Sequence, residues 1–420
     1  MQYRAYFKLK LTLLSPLSIG SSNSESTDRD IVLDSRCKPI IPATAVAGVF
    51  RSLSGNDETL FGRIERIEKY EIDNKEKTRK LPQLDTMLFF YDAQVADEKS
   101  VSVRDSVALN EYKSAKNGAK FDFEIVETGA VFMGYVEAKT SDAADAFEKL
   151  LDNKLYLGAK STRGYGSVDV EYQKKIFNAG DTDKWLEFDM FSDCSWKSEG
   201  IEDWKKTGEA GNHTIIKLSL KQNGGLSIRQ YSTEPDKADS VPLSLRDKTP
   251  VIPGTSWAGM FRSHMTKLLH YGENGLNEVF GFVNTDNQTS AKSKIRFSES
   301  KINGAVSKML TRNAIDRFTH GTKDGALFTE VTVYNGTTEL QIELRGEIPD
   351  DIKSALTAAI LDLHNGYVAV GGLTSVGRGM FEIDVINTTK VSDKKFGDYW
   401  NKDESKWKLA ELKEDMFCGK

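Results

Sequence analysis

Residues 3–11 alternate: Ala5, Phe7, Leu9 and Leu11 fall on one side and Lys8 and Lys10 on the other, the period of a half-buried strand. Residues 215–220 repeat the pattern. After Pro42 the period lengthens to that of an amphipathic helix, with apolar residues at Val46, Val49, Phe50 and Leu53; Trp257, Met260 and Phe261 do the same after Pro253. Residues 87–91 and 295–297 read as second strands, and 120–126 and 327–333 as the beginnings of third strands. A second helix is marked by Ile352, Ala355, Leu356, Ala359, Ile360 and Leu363, and its counterpart by Ala143, Phe147, Leu150 and Leu151. A glycine-rich loop then leads into a last strand. The order strand, helix, strand, strand, helix, strand, met twice, predicts an α+β fold of two tandem ferredoxin-like (RRM-like, βαββαβ) domains with inserted segments.

The duplication is explicit in the residues. Gly158, Gly164 and Gly166 are answered by Gly371, Gly377 and Gly379, each 213 positions later. The segment 41–52 (IPATAVAGVFRS) matches 252–263 (IPGTSWAGMFRS) at an offset of 211, Leu17-Ser18-Ile19 finds Leu226-Ser227-Ile228, and Ala108-Leu109-Asn110 with Gly118-Ala119-Lys120-Phe121 finds Ala314-Ile315-Asp316 with Gly325-Ala326-Leu327-Phe328. Four landmarks in one order mean two copies of one domain. They divide the 420 residues into a first domain at 1–172, a connector at 173–212, a second domain at 213–386 and a tail at 387–420. Connector and tail are charged yet carry Trp185, Phe188, Phe191, Trp196 and Trp204, and Phe396, Tyr399, Trp400 and Trp407. Such aromatics predict packing on a neighbour, and for the tail a short docked helix.

Composition narrows the function classes. No apolar run is long enough for a signal peptide or a membrane span, so a cytoplasmic protein without membrane contact is expected. Cys37, Cys194 and Cys418 lie far apart, which excludes a disulfide framework and a CxxC zinc site. A net charge of −5 leaves nucleic-acid binding to local patches. The glycine loops lack the Lys-Ser/Thr ending of a P-loop and precede a strand, which excludes nucleotide hydrolysis of that type. His213, His264, His270, His320 and His364 show no metal-ligand or triad spacing.

Glycines at this spacing leave backbone N–H groups uncovered and permit φ > 0, conditions that suit a phosphate backbone; tight turns between helix and strand would also explain them. A polyanion is the first ligand to consider. Gly158, Lys160, Ser161, Arg163, Gly164 and Gly166 in the first loop, and Gly371, Thr374, Gly377, Arg378 and Gly379 in the second, are the candidate contacts to such a polyanion. Arg51 and Arg262, at equal positions on the first helices, join them as phosphate ligands or as ordinary surface arginines. Tyr112 and Phe318 are candidates to stack on bases, or core aromatics.

Together, the late glycine loop, the IPxTxxxGxFRS segment and the mid-domain segment ending in GAxF resemble the RAMP superfamily of CRISPR-associated proteins, over both copies. They are most similar to the RNA-binding backbone subunits of type III effector complexes, fused in tandem as in some type III-D systems. The resemblance implies a partner set of guide RNA (crRNA), target RNA and other effector subunits, and endoribonuclease cleavage of matched target at regular spacing. It implies a catalytic aspartate between the first strand and first helix, often with another six residues later. Asp28, six before Asp34, is that candidate and the metal ligand; in the second copy it is Asp239, eight before Asp247, or Asp236. A carboxylate-held divalent cation, Mg²⁺ in this reading, suits attack of a ribose 2′-OH on its neighbouring phosphate. The alternatives are a solvated acidic loop on a non-catalytic guide-binding scaffold, and a metal-independent guide-processing ribonuclease.

Overall fold

The structure, a computed structural model, describes residues 3–417 apart from 22–26, 73–74, 97–100, 110–114, 198–199, 208–212, 232–237, 270–275, 285–288, 389–390, 402 and 404–405. Contacts divide it into two units: residues 1–104, 122–161 and 166–211, and residues 105–121, 162–165 and 212–420.

The main elements of the first repeat are β1 (Arg4–Leu13), α1 (Ala43–Leu53), β2 (Leu88–Phe90), the hairpin strands β3 (Val101–Leu109) and β4 (Ala115–Val126), β5 (Val131–Ala138), α2 (Ser141–Leu151) and β6 (Ser167–Phe177). Those of the second are β7 (His213–Asn223), α3 (Gly254–Leu268), β8 (Ile295–Phe297), hairpin strands β9 (Val306–Arg312) and β10 (Phe328–Tyr334), β11 (Thr337–Arg345), α4 (Asp350–His364) and β12 (Met380–Thr388). In both sheets the last strand lies beside the first and the first beside the third, with the second on the far side: β6-β1-β5-β2, and β12-β7-β11-β8. All these pairs are antiparallel, with Phe7 opposite Lys174 and Val136, and Leu218 opposite Leu340 and Ile386.

The third strand departs from the sequence expectation. Residues 120–126 and 327–333 belong to the hairpins, while the sheets take β5 and β11, which follow the turns at Gly129 (φ 95°) and at Asn335 (φ 58°) with Gly336. The main elements of each copy thus include two strands more than the pattern predicts, the first hairpin strand (β3, β9) and the sheet strand after the turn (β5, β11). A turn of four residues (127–130) or two (335–336) separates two runs that read as one strand.

Burial follows the predicted faces except at Leu53, which is exposed in the last turn of α1. In the first unit Phe7, Leu9 and Leu11 pack with Val46 and Phe50 of α1 and Phe147 and Leu151 of α2; the Phe147 ring lies 5.0 Å from Phe7 and 4.9 Å from Phe50. In the second, Leu218, Trp257, Phe261, Leu356 and Ile360 form the equivalent core. The connector covers the other face of the first sheet: Tyr6 and Phe177 pack with Trp185, Phe188 and Trp196, and Trp185 donates its indole N–H to the Tyr6 hydroxyl at 2.8 Å. In the tail, helix α5 (Leu409–Phe417) buries Leu412, Met416 and Phe417 in the second core and pairs Lys413 with Asp350. No helix among the described residues is long and apolar enough to cross a membrane.

The repeated glycines separate into two physical kinds. At Gly166 (φ 73°) and Gly379 (φ 77°) a Cβ would fall 1.9 Å from the carbonyl oxygens of Leu157 and Val370, whereas Gly48 and Gly259 sit in helices with open space around them. Alanine at 166 or 379 is expected to cost about 2 kcal/mol or more, through backbone displacement and a left-handed φ. Alanine at 48 or 259 is expected to add about 0.5–1 kcal/mol by helix propensity. Melting curves of the four variants check this; equal shifts at all four sites would contradict it.

Candidate nucleic-acid interface

Asp28 is exposed and tightly placed. Its backbone N–H donates to Asp122 Oδ1 on β4 at 2.9 Å, and the Asp122 N–H donates to Asp28 Oδ2 at 3.0 Å. Two residues along, the Glu124 N–H donates to the Arg29 carbonyl, and Ile31 N–H donates to Glu124 Oε2, both at 3.0 Å. Asp30 closes the loop from inside by accepting from the Thr27 N–H and hydroxyl. Asp34 serves differently: its Oδ1 accepts the Arg36 and Lys38 N–H groups, each at 2.8 Å, and so shapes the turn that ends at Cys37 (φ 58°).

The second copy keeps this loop in register. Asp239 Oδ2 accepts the Thr329 N–H on β10 at 2.7 Å; Asp239 lies 211 positions after Asp28, and Thr329 lies 207 after Asp122. Asp34 N–H bonds the Lys38 carbonyl and Cys37 N–H the Asp34 carbonyl; Leu245 to Thr249 and Lys248 (φ 67°) to Leu245 repeat those bonds, again 211 positions later. The counterpart of Asp34 is therefore Leu245, which is buried, and not Asp247. The apparent change of aspartate spacing from six to eight disappears, because the two pairs of aspartates were never equivalent. Asp236 lies outside the described residues.

The glycine loops are built from backbone contacts. A Cβ on Gly158 (φ 73°) would lie 2.6 Å from the Ser18 carbonyl oxygen, and one on Gly371 (φ 91°) 2.8 Å from that of Ser227. The same carbonyls accept the Ala159 and Gly372 N–H groups at 2.7 and 2.8 Å, while Gly166 and Gly379 N–H bond Pro16 and Gly225 carbonyls. These N–H groups are engaged inside the fold, so the exposed chemistry of the loops lies at their tips. In the first, Arg163 is exposed, Ser161 is half-buried, and Lys160 (φ 59°) sets its ammonium over the Phe123 ring. Gly164 belongs to the stretch 162–165 of the second unit, where a Cβ would meet the Phe297 carbonyl at 2.5 Å. In the second loop Thr374 is half-buried and Gly377 exposed. Arg378 is turned inward at 5% exposure, donates to Glu330 Oε1 at 2.9 Å and lies over the Tyr334 ring. A phosphate would have to displace Glu330 to reach it.

Arg51 is half-exposed on α1; Arg262 donates to Asn277 Oδ1 at 2.7 Å and braces the short helix Asn277–Phe280. Tyr112 lies outside the described residues. Phe318 is 90% exposed, in the segment between β9 and β10, where the Asp316 carboxylate fastens the Phe318 and Thr319 N–H groups. Arg317, His320 and Lys323 around it are exposed too. The half-buried His364 is committed to the fold: it accepts the Ile383 N–H at 3.1 Å, and desolvation pushes its imidazole below the ordinary range. His264 meets Asp362 at 2.6 Å.

Both aspartate loops and both glycine loops lie inside the two blocks, 10–169 and 207–382, that match the family model of the RAMP superfamily. The chain belongs to the RAMP superfamily. No curated protein matches it. Among solved structures, this RAMP chain is similar to one in the cryo-EM structure of type III-B Cmr-beta bound to cognate target RNA, with 17% identity over 42% of this chain and 60% of that one, TM-score 0.33. It is also similar to one in the apo state of type III-B Cmr-beta, with 12% identity over 42% and 97% of the two chains, TM-score 0.32.

Sequence reasoning about this RAMP chain missed Asp122 and Glu124, whose acidic alternation on a strand was the available signal. It also missed Gly62 and Gly281, which close the short helices Glu58–Phe61 and Asn277–Phe280 with φ of 73° and 79°. Among the described residues no group of three or more His, Cys, Asp and Glu gathers as for a protein-enclosed metal. The exposed Asp28 carboxylate offers one oxygen ligand, and a mostly hydrated divalent cation needs only one or two from the protein.

The N–H groups of Lys38 and Arg36 hold the Asp34 carboxyl below the usual carboxylate range. Because its folded value is depressed, its support of the turn is full above about pH 4, its unfolded value, and is lost as pH falls through the lower folded value. Amide exchange at residues 36 and 38 should stay protected through pH 5 and accelerate, beyond its intrinsic pH trend, only below that range. Asp34→Asn should show the faster exchange at neutral pH, and unchanged protection in that variant would contradict the assignment.

Proposed function

We propose that this chain is an RNA-guided CRISPR effector subunit of type III character. In this reading two ferredoxin-like RAMP domains hold guide RNA among other effector subunits in the cytoplasm, and Asp28 cleaves matched target RNA. The strand order in each unit supports the domain reading. What carries the functional reading is the recurrence of one exposed aspartate, Asp28 and Asp239, fastened by its Oδ2 to an equivalent strand N–H in both copies of a RAMP chain.

Each candidate residue has a physical task of its own. The Asp122 N–H fixes the orientation of the Asp28 carboxylate, which in solvent would rotate freely, and leaves it placed to take the proton of a ribose 2′-OH. Asp28 would hold the divalent cation, Mg²⁺ by donor type, and that ion when bound would neutralise charge on the scissile phosphate. Arg163 and Arg51 contact phosphate without base selectivity, which is left to guide–target pairing. Phe318, exposed among Arg317, His320 and Lys323, offers a ring for stacking on or wedging between bases. Histidine acid–base chemistry finds no support at His364, since its Nδ1 already serves the fold.

The test uses the chain purified with its native partners. An RNA of uniform length should co-purify, and Asp28→Ala should remove a cut in target RNA while leaving RNA retention intact. Chelation of divalent metal should abolish cutting and addition of Mg²⁺ restore it. Cleavage that survives both treatments would overturn the reading, and the absence of any co-purifying RNA would overturn it at the level of binding.

A further inference from the structure

Resting on the reading above, the two aspartate loops are unequal, and the inequality lies on the strand beneath them. In the first copy Asp122 both donates its N–H to Asp28 and accepts the Asp28 N–H, and Glu124 accepts the Ile31 N–H. Loop and strand are thereby joined by side-chain acceptors as well as by backbone. In the second copy the same positions, 207 residues on, are Thr329 and Val331. Thr329 donates its N–H to Asp239, but its hydroxyl pairs with Thr311 at 3.2 Å, and valine offers no acceptor. Asp239 is held at one oxygen; Asp28 is held at one oxygen and at its own backbone.

We propose that Asp122 is a positioning residue for Asp28, and that its replacement by threonine in the second copy makes the Asp239 loop the slower site. The argument is one of orientation. A carboxylate acting at a reacting centre loses rate steeply when its backbone drifts, and a hydrogen bond from its own N–H to a strand side chain is what prevents drift along the loop. Charge is not what Asp122 contributes here, so asparagine, which keeps the acceptor oxygen, preserves the function.

The experiment compares the two cuts within one complex on end-labelled target. Asp122→Ala should slow the Asp28-dependent cut by roughly tenfold, the rate equivalent of one lost hydrogen bond, and leave the other cut unchanged. Asp122→Asn should keep most of the rate with KM for target unaltered. Thr329→Asp should raise the Asp239-dependent cut relative to the first, or bring it into view, a gain that misfolding cannot imitate. Unchanged cutting in Asp122→Ala, equal loss in Asp122→Ala and Asp122→Asn, or an unchanged ratio in Thr329→Asp would each overturn the proposal. If Asp28→Ala itself leaves its cut in place, the functional reading fails instead.

Discussion

The close passage of the glycine loop over the chain that leaves the first strand is the constraint on which the repeat depends. Ser18 and Ser227 present carbonyl oxygens so near Gly158 and Gly371 that no side chain fits, and the next N–H bonds the same oxygens. One residue further on, Ile19 accepts the Val32 N–H and Ile228 the Leu243 N–H, which carries the fixed position into the aspartate loop. A substitution at the glycine would therefore be felt at Asp28 or Asp239, through bonds and not through long-range effects. Even the strained residues recur: Lys160 and Leu373 share left-handed backbone, as do Cys37 and Lys248.

Against this shared frame the copies diverge in what lies beneath. Where the second has the buried Arg378–Glu330 pair, the first has Tyr165 and Phe123, at the same repeat offsets. A buried ion pair in place of two buried aromatic residues rarely adds stability, because desolvation offsets the Coulomb gain. It does impose geometry, since an unpaired charge there would be costly. The second glycine loop is thus tied to β10, the strand that bears Thr329, by an ion pair, where the first loop sets the Lys160 ammonium over the Phe123 ring of β4.

Much of this was legible in the residues. The duplication, both helices of each copy, their buried faces and the docked tail helix follow from periodicity and landmarks. The missed strands β5 and β11 show the limit: turns as short as Asn335-Gly336 separate two runs that periodicity merges. Position along the chain located Asp28 but could not assign its partners, because Asp122 is 94 residues away and only pairing across the fold joins them. Arg378 illustrates the opposite error. An arginine among glycines reads as a phosphate ligand, yet the fold places a glutamate within 2.9 Å of it.

The central claim is that one chain carries two aspartate loops of unequal strength, one in each repeat, and that both act on one target RNA. Mapping the product ends on target RNA, labelled first at one terminus and then at the other, measures this most directly. Two cuts at one constant separation, which move together when the matched region is shifted along the target, are the result this account predicts. A single cut even in Thr329→Asp, or a separation that changes with target sequence, would contradict it.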